Sequence, residues 1–318
     1  LVSGYLVGPD ANLSGLYISD ADLNNIDLRR ANLTNLRSES LQAPVGLKDE
    51  DWLPFGWRFY NPTGTLIGNG AHLKNITLSG DLSDFDFRNV KSSGIQVNAD
   101  DYDDFVNFPI IRNQTYGIFN GHIVGPGVNL TRANLEGVDF GLPEDGGWDA
   151  IRSLKGADLF GVKSGGILTD PKNIALPRDW NLVHGYLVGP GKKVDGRFKP
   201  GADLTEANFE IQNHPHFQDG DIPSDYTVDL SQTDLTGIIS NNITWDKNLV
   251  LRPGWASFCP NSNSGTSCSE GGYSTGERGG YSTGERGGYF LGERVILPDF
   301  ADLNDLDTIQ VQIGTYEE

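Results

Sequence analysis

From residue 11 the chain reads ANLSG LYISD ADLNN IDLRR ANLTN, and an apolar side chain returns at every fifth position: Leu13, Ile18, Leu23, Leu28 and Leu33. Two residues before each stands a second small or apolar residue: Ala11, Leu16, Ala21, Ile26 and Ala31. An amphipathic helix repeats its apolar face about every 3.6 residues, and a half-buried strand every second residue. Five-residue spacing fits neither. It fits two inward residues separated by one outward residue and followed by two turn residues. Each such unit makes one short side of a coil, and four units bring the chain back above its start. Stacked coils then pair as parallel strands about 4.8 Å apart.

The same pattern recurs as ANLEG (133–137), ADLFG (157–161), ADLTE (202–206), ANFEI (207–211), TDLTG (233–237) and ADLND (301–305). It resembles the pentapeptide-repeat family, whose motif is A-(D/N)-L-x-x. The resemblance implies an all-β fold: a right-handed, four-sided parallel β-helix, here interrupted by loops. Leu135, Leu159, Leu204 and Leu235 are expected to join Leu13, Ile18, Leu23, Leu28 and Leu33 in its inward ladders. Clear pentapeptides cover less than half of the sequence.

The departures from the motif also repeat. An opening signature occurs as GYLVGP (4–9), GTLIGN (64–69), GHIVGP (121–126), GYLVGP (185–190) and GYFLGE (288–293). A closing signature with a serine follows each pentapeptide run: LRSESL (36–41), VKSSGI (90–95), VKSGGI (162–167) and IISNNI (238–243). Pro-Trp links LPFGW (53–57), LPRDW (176–180) and RPGW (252–255) join closing to opening. The chain is therefore an array of modules of roughly 55–75 residues, four complete and a fifth begun. The opening signature carries no reactive side chain. Its Gly and Pro are expected to set a corner and its Leu and Val to point into the coil. Ser38, Ser92, Ser164 and Ser240 recur too regularly for catalysis and are expected to bond at corners.

Residues 1–257 are thus assigned to a four-module β-helix, 258–287 to a Gly/Ser-rich insertion, and 288–318 to a partial fifth module. The insertion duplicates GGYSTGER at 271–278 and 279–286, and a third copy, GGYFLGER (287–294), merges with the fifth opening. Tyr273, Tyr281 and Tyr289 could stack as an aromatic ladder if the tract is ordered. Two further insertions, 141–153 and 211–227, interrupt pentapeptide runs and are expected to leave the coil as loops. Both ends of the sequence fall inside a module. Either it is a stretch of a longer protein or its terminal coils are open strand edges that favour end-to-end association. At one coil per 20 residues the solenoid is at most roughly 75 Å long.

Composition narrows the function classes. Lys and Arg total 24 against 43 Asp and Glu, a net charge of −19, which repels nucleic acid and anionic membranes at long range. Hydrophobic residues make up only 37%, and there are 41 glycines, which suits many turns around a thin core. No apolar run approaches the roughly 18 residues of a membrane span. Cys259 and Cys268 flank a Ser/Gly/Asn-rich stretch and could close a small disulfide ring; two free thiols are the other reading. Sequons begin at Asn12, Asn32, Asn75, Asn113, Asn129 and Asn242. They permit glycosylation of a secreted protein, and the A-N-L-S/T repeat also generates them.

Candidate chemistry is sparse. The sequence contains no nucleophile elbow, phosphate-binding loop or zinc-protease motif. Asp219, Asp221 and Asp225 of DGDIPSD are spaced as calcium ligands could be, but the full calcium-loop pattern is lacking, and a solvated acidic loop is the alternative. His214 and His216 make at most a weak metal site. Apart from that calcium option no cofactor is expected.

The leading expectation is a non-enzymatic structural protein, a subunit or segment of an extracellular, cell-surface or virion-associated filament. Its partners would be further copies of itself, head to tail, or other structural subunits, with no nucleic acid and no membrane insertion. The module strings, with GYLVGP leading into A-N-L runs, resemble those of large repeat proteins of marine microbes and their viruses. The family also contains acidic rods that mimic DNA and bind a DNA topoisomerase, which is the alternative. Short runs, long insertions and the cysteine pair count against it. An enzyme on a β-helix, such as a polysaccharide lyase, finds no support beyond general acidity.

Overall fold

The computed structural model describes residues 4–97, 106–110, 116–140, 153–194, 197–210, 227–239, 243–245, 248–251, 256–258 and 289–291. The chain divides into two compact units. One comprises Leu1–Ala133, Phe140–Asp158 and Lys172–Arg178; the other comprises Asn134–Asp139, Leu159–Pro171 and Asp179–Glu318.

In the first unit the chain returns above itself after 20 residues, with Asn12 over Asn32. Three consecutive sides of the coil pair in parallel register: Asn12 with Asn32, Tyr17 with Arg37, and Asp22 with Gln42. The fourth side closes when the Leu28 N–H donates to the Trp52 carbonyl at 2.7 Å. The sides therefore begin near residues 12, 17, 22 and 27, as a five-residue period requires. The second side extends furthest. His72 pairs with Lys91, Lys91 with Asn129, and Asn129 with Asp158. The His72 N–H bonds the Leu36 carbonyl at 3.0 Å and so continues the ladder from Arg37.

The interior is a stack of aliphatic side chains. Leu13, Ile18, Leu23, Leu28 and Leu33 are all buried, each by the middle residue of its side. Corners are made by the fifth residue of the unit. Gly15, Asp20, Asn25, Asn35 and Ser40 all hold positive φ, between 51° and 73°. Short polar residues and glycine tolerate this left-handed region, and β-branched residues do not.

The second unit repeats the scheme. Asn134, Lys163, Asp203 and Ile239 form one parallel column of bridges. Asn208–Phe209 pairs with Thr244–Trp245, and Val228–Asp229 with Leu249–Val250. Leu135, Leu159, Leu204 and Leu235 are buried.

One expectation is corrected. The opening signature is not a coil corner but the return strand of an antiparallel hairpin. Arg58–Tyr60 pairs with Thr65–Ile67, Gly117–Phe119 with His122–Val124, and Asn181–Val183 with Tyr186–Val188. Turn chemistry explains the difference. Asn120-Gly121 and His184-Gly185 place two successive residues at positive φ, 46° and 73° in one and 51° and 77° in the other. That is what a two-residue hairpin turn with matching twist demands. Gly121 and Gly185 are thus the second residues of two-residue hairpin turns, and Gly64, at φ 62°, is the last residue of a four-residue turn between Tyr60 and Thr65. Its Leu and Val do point inward: Leu66, Ile67, Ile123, Val124, Leu187 and Val188 are buried.

A further hairpin pairs Ala256–Phe258 with Tyr289–Leu291, in the register of its sisters. Phe258 faces Tyr289, so the tract 259–288 connects the two strands of one hairpin where the sisters use short turns. Cys259, Cys268, Tyr273 and Tyr281 lie outside the described residues, as do the calcium candidates Asp219, Asp221 and Asp225, the sequons at Asn113 and Asn242, His214, His216 and Ser240.

Candidate functional site

Among the described residues one side-chain arrangement recurs as a joint made three times. In the closing signature the serine is the inward residue of a coil side, flanked by outward neighbours. Its hydroxyl accepts the backbone N–H of the third residue of the next opening signature: Leu66 to Ser38 at 2.9 Å, Ile123 to Ser92 at 2.7 Å, and Leu187 to Ser164 at 2.9 Å. All three serines are buried. The hairpin strand enters the core at this point, and its N–H has left the coil's ladder. An unpaired buried N–H costs about 1–3 kcal/mol, which the serine removes. Aliphatic residues or phenylalanine, such as Leu33, Phe87 and Phe209, fill the equivalent position on other sides. Serine here is a mark of the hairpin.

A second contact completes each joint. The glycine after the apolar pair lies flat under a link aromatic. A Cβ on Gly68 would approach Trp57 to 2.5 Å, and Gly125 and Gly189 are as closely covered by Tyr116 and Trp180. Tyr116 was not anticipated, because the second link has no Trp. Its spacing ahead of Gly125, the same as that of Trp180 ahead of Gly189, is the signal that would have found it. Burial pushes the Tyr116 hydroxyl up to about 12. Tyr186 is raised as well, chiefly by burial, while its oxygen accepts the Asn208 N–H at 2.7 Å.

The first opening signature differs from its counterparts. Leu6 is 82% exposed, whereas Leu66, Ile123 and Leu187 are at most 2% exposed. A Cβ added to Gly8 would meet nothing within 4 Å.

The D/N position of the pentapeptide has a local structural role that sequence reasoning did not identify. Its side-chain oxygen accepts the N–H two residues on, with distances of 2.8–3.2 Å at Asn12, Asp22, Asp27, Asn32, Asp81 and Asn129. The same bond recurs in the second unit at Asn134, Asp203, Asn208, Asp229 and Asp234. These are Asx turns, which bend the chain at the end of a side. Hydrogen bonds hold several of these carboxyls charged. Asp27 is lowered to about 2, first by the Arg29 side chain and then by its N–H. Asp81 is lowered chiefly by the Ser83 N–H, and Asp229 chiefly by Ser231. A share of the acidity is therefore turn chemistry.

The sequons at Asn12, Asn32 and Asn129 belong to this set, with the amide oxygen spent on the turn. Asn75 stands apart. It is exposed, at φ 54°, on the wall of an open groove formed with Glu39, Ser40, Pro62 and Thr77. Among the described residues no three His, Cys, Asp or Glu side chains are placed to hold a metal, and no helix is long and apolar enough to cross a membrane.

Comparison with known proteins adds one finding. The family model for pentapeptide repeats matches in eight copies, with residues 10–37 aligned. No curated protein and no solved structure matches the chain.

Proposed function

The chain is a pentapeptide-repeat β-helix protein, and from that premise we propose that it is a non-enzymatic structural protein, a segment or subunit of an extracellular, cell-surface or virion-associated filament. The observation that carries this reading is the thrice-repeated joint together with the exposed edge at Leu6. The opening signature seats on a closing coil at Leu66, Ile123 and Leu187, and at Leu6 it presents the corresponding apolar residue to solvent. A closing coil of the same or another chain would bury it and continue the array. Stacking of this kind adds nearest-neighbour interfaces without limit, as in other solenoids.

Negative-stain electron microscopy over a range of concentrations tests the reading. Filaments that lengthen with concentration and are lost in Leu6→Asp support it. Isolated particles of constant length at every concentration overturn it.

A further inference from the structure

The register of the first unit separates charge onto opposite sides of the coil. The second side carries Arg37, His72 and Lys91 on successive rungs, with Lys74 two residues along from His72. The one carboxylate on these rungs, Glu39, is taken up by the Tyr17 hydroxyl and by Arg37 at 3.2 Å. Arg37 also lies over the Tyr17 ring, 4.4 Å from its centre. His72 is held below its ordinary value, first by burial and then by Lys91, Arg37 and Lys74. In a chain of net charge −19, cations outnumber anions on these three rungs.

The fourth side is the reverse. It begins with Asp27 and continues, above Leu28, with the short helix Asp49–Trp52, whose outer residues are Asp49, Glu50 and Asp51. On the next coil it carries Asp81 and Asp84. Three cations stand here, and all are engaged: Arg29 with Asp27 at 2.8 Å, Arg30 with Asp10 at 2.6 Å and Lys48 with Glu50 at 3.9 Å. In a four-sided coil the second and fourth sides face in opposite directions.

We propose that the first unit associates side by side with a second copy of the chain, the basic second side of one against the acidic fourth side of the next. Opposite faces of complementary charge make a heterologous contact, which leaves a basic face at one end and an acidic face at the other and so propagates. This contact is independent of end-to-end stacking. It widens an assembly where stacking lengthens it.

The test is sedimentation velocity of the full chain at roughly 10 mM and 1 M salt, where the Debye length is about 30 Å and 3 Å. Leu6→Asp is the background, so that stacking through that edge does not contribute. Species larger than one chain at low salt, dispersed at high salt, are expected. Lys74→Glu with Lys91→Glu should be monomeric at low salt, and so should Glu50→Lys with Asp84→Lys. An equimolar mixture of the two should associate again, because the first keeps its acidic fourth side and the second its basic second side. That recovery also shows that both variants are folded. A monomeric Leu6→Asp parent at low salt, variants that associate as the parent does, or a mixture that stays monomeric would overturn the proposal.

Discussion

The hydroxyl of Ser92 accepts the backbone N–H of Ile123 at 2.7 Å, across 31 residues of sequence, and both groups are buried. The bond ties a coil to the hairpin that begins the next module. Ser92→Ala leaves the donor without a partner in the core and should cost about 1–3 kcal/mol. Ser93→Ala, one residue on and outward-facing, should stay within about 0.5 kcal/mol. Chemical denaturation of the two variants checks the contrast. Equal midpoints would mean that the bond contributes nothing to the joint.

The Gly–aromatic half of the joint makes a separate prediction. Gly125→Ala and Gly189→Ala drive a methyl group into the rings of Tyr116 and Trp180 and should cost about 1–3 kcal/mol each. Gly8→Ala, with open space around it, has no such clash and should be near neutral. Thermal melts of the three variants separate overpacking from backbone propensity, which all three share.

Much of the solenoid was legible in residues 11–35 alone, because a five-residue period has few other physical solutions. The hairpins were not. Their sequences, such as RFYNPTGTLI, contain an apolar pair after a glycine that also suits a coil corner. Only the pairing of Tyr60 with Thr65 or Phe119 with His122 distinguishes the two. Ser38, Ser92 and Ser164 were recognised as structural from their recurrence, yet their partners lie in another module and no local pattern points to them. Asn120-Gly121 was the one readable clue, since that dipeptide favours a two-residue hairpin turn. The D/N preference of the repeat was visible, but its cause lies in backbone geometry that spacing does not report.

Alkaline pH should loosen the second module. Tyr116 ionises at about 12 in the folded protein, raised by burial, and near 10 when unfolded. Between those values the unfolded chain has released the proton and the folded chain has not, so stability falls as pH rises. The contribution is fully present below about pH 10. Phenolate absorbance against pH should show late-titrating tyrosines, Tyr116 and Tyr186 among them, and Tyr116→Phe should remove one of these and flatten the stability loss over that interval. A tyrosine at position 116 titrating with the exposed set would contradict its burial under the joint.

The interior tolerates no charge. Leu23 is 1% exposed, between Ala21 and the Gln42 rung, and Leu23→Asp would bury a carboxylate without a partner. Loss of cooperative unfolding is expected. Leu23→Ala removes the same side chain without adding charge and should cost about 2–5 kcal/mol, as the cavity fails to collapse between rigid coils. An unchanged melting curve for Leu23→Asp would refute the coil.

Acidity and folding are separable at the turns. Asn32 accepts the Thr34 N–H at 3.1 Å, and an aspartate oxygen would accept it equally well. Asn32→Asp keeps that turn but loses the amide donation to the Asn12 oxygen, so it should cost less than Asn32→Ala, which loses both and should cost about 0.5–1.5 kcal/mol or more. The repeat requires an oxygen at that position, and both Asp and Asn supply it. Replacing Asp81 by Asn, on the fourth side of the first unit, keeps the turn acceptor and should lower the melting temperature less than Asp81→Ala near neutral pH while weakening salt-sensitive association; Asp27→Asn in addition loses the Arg29 ion pair. A fall in melting temperature for Asp81→Asn as large as for Asp81→Ala would show instead that the charge itself holds the corner.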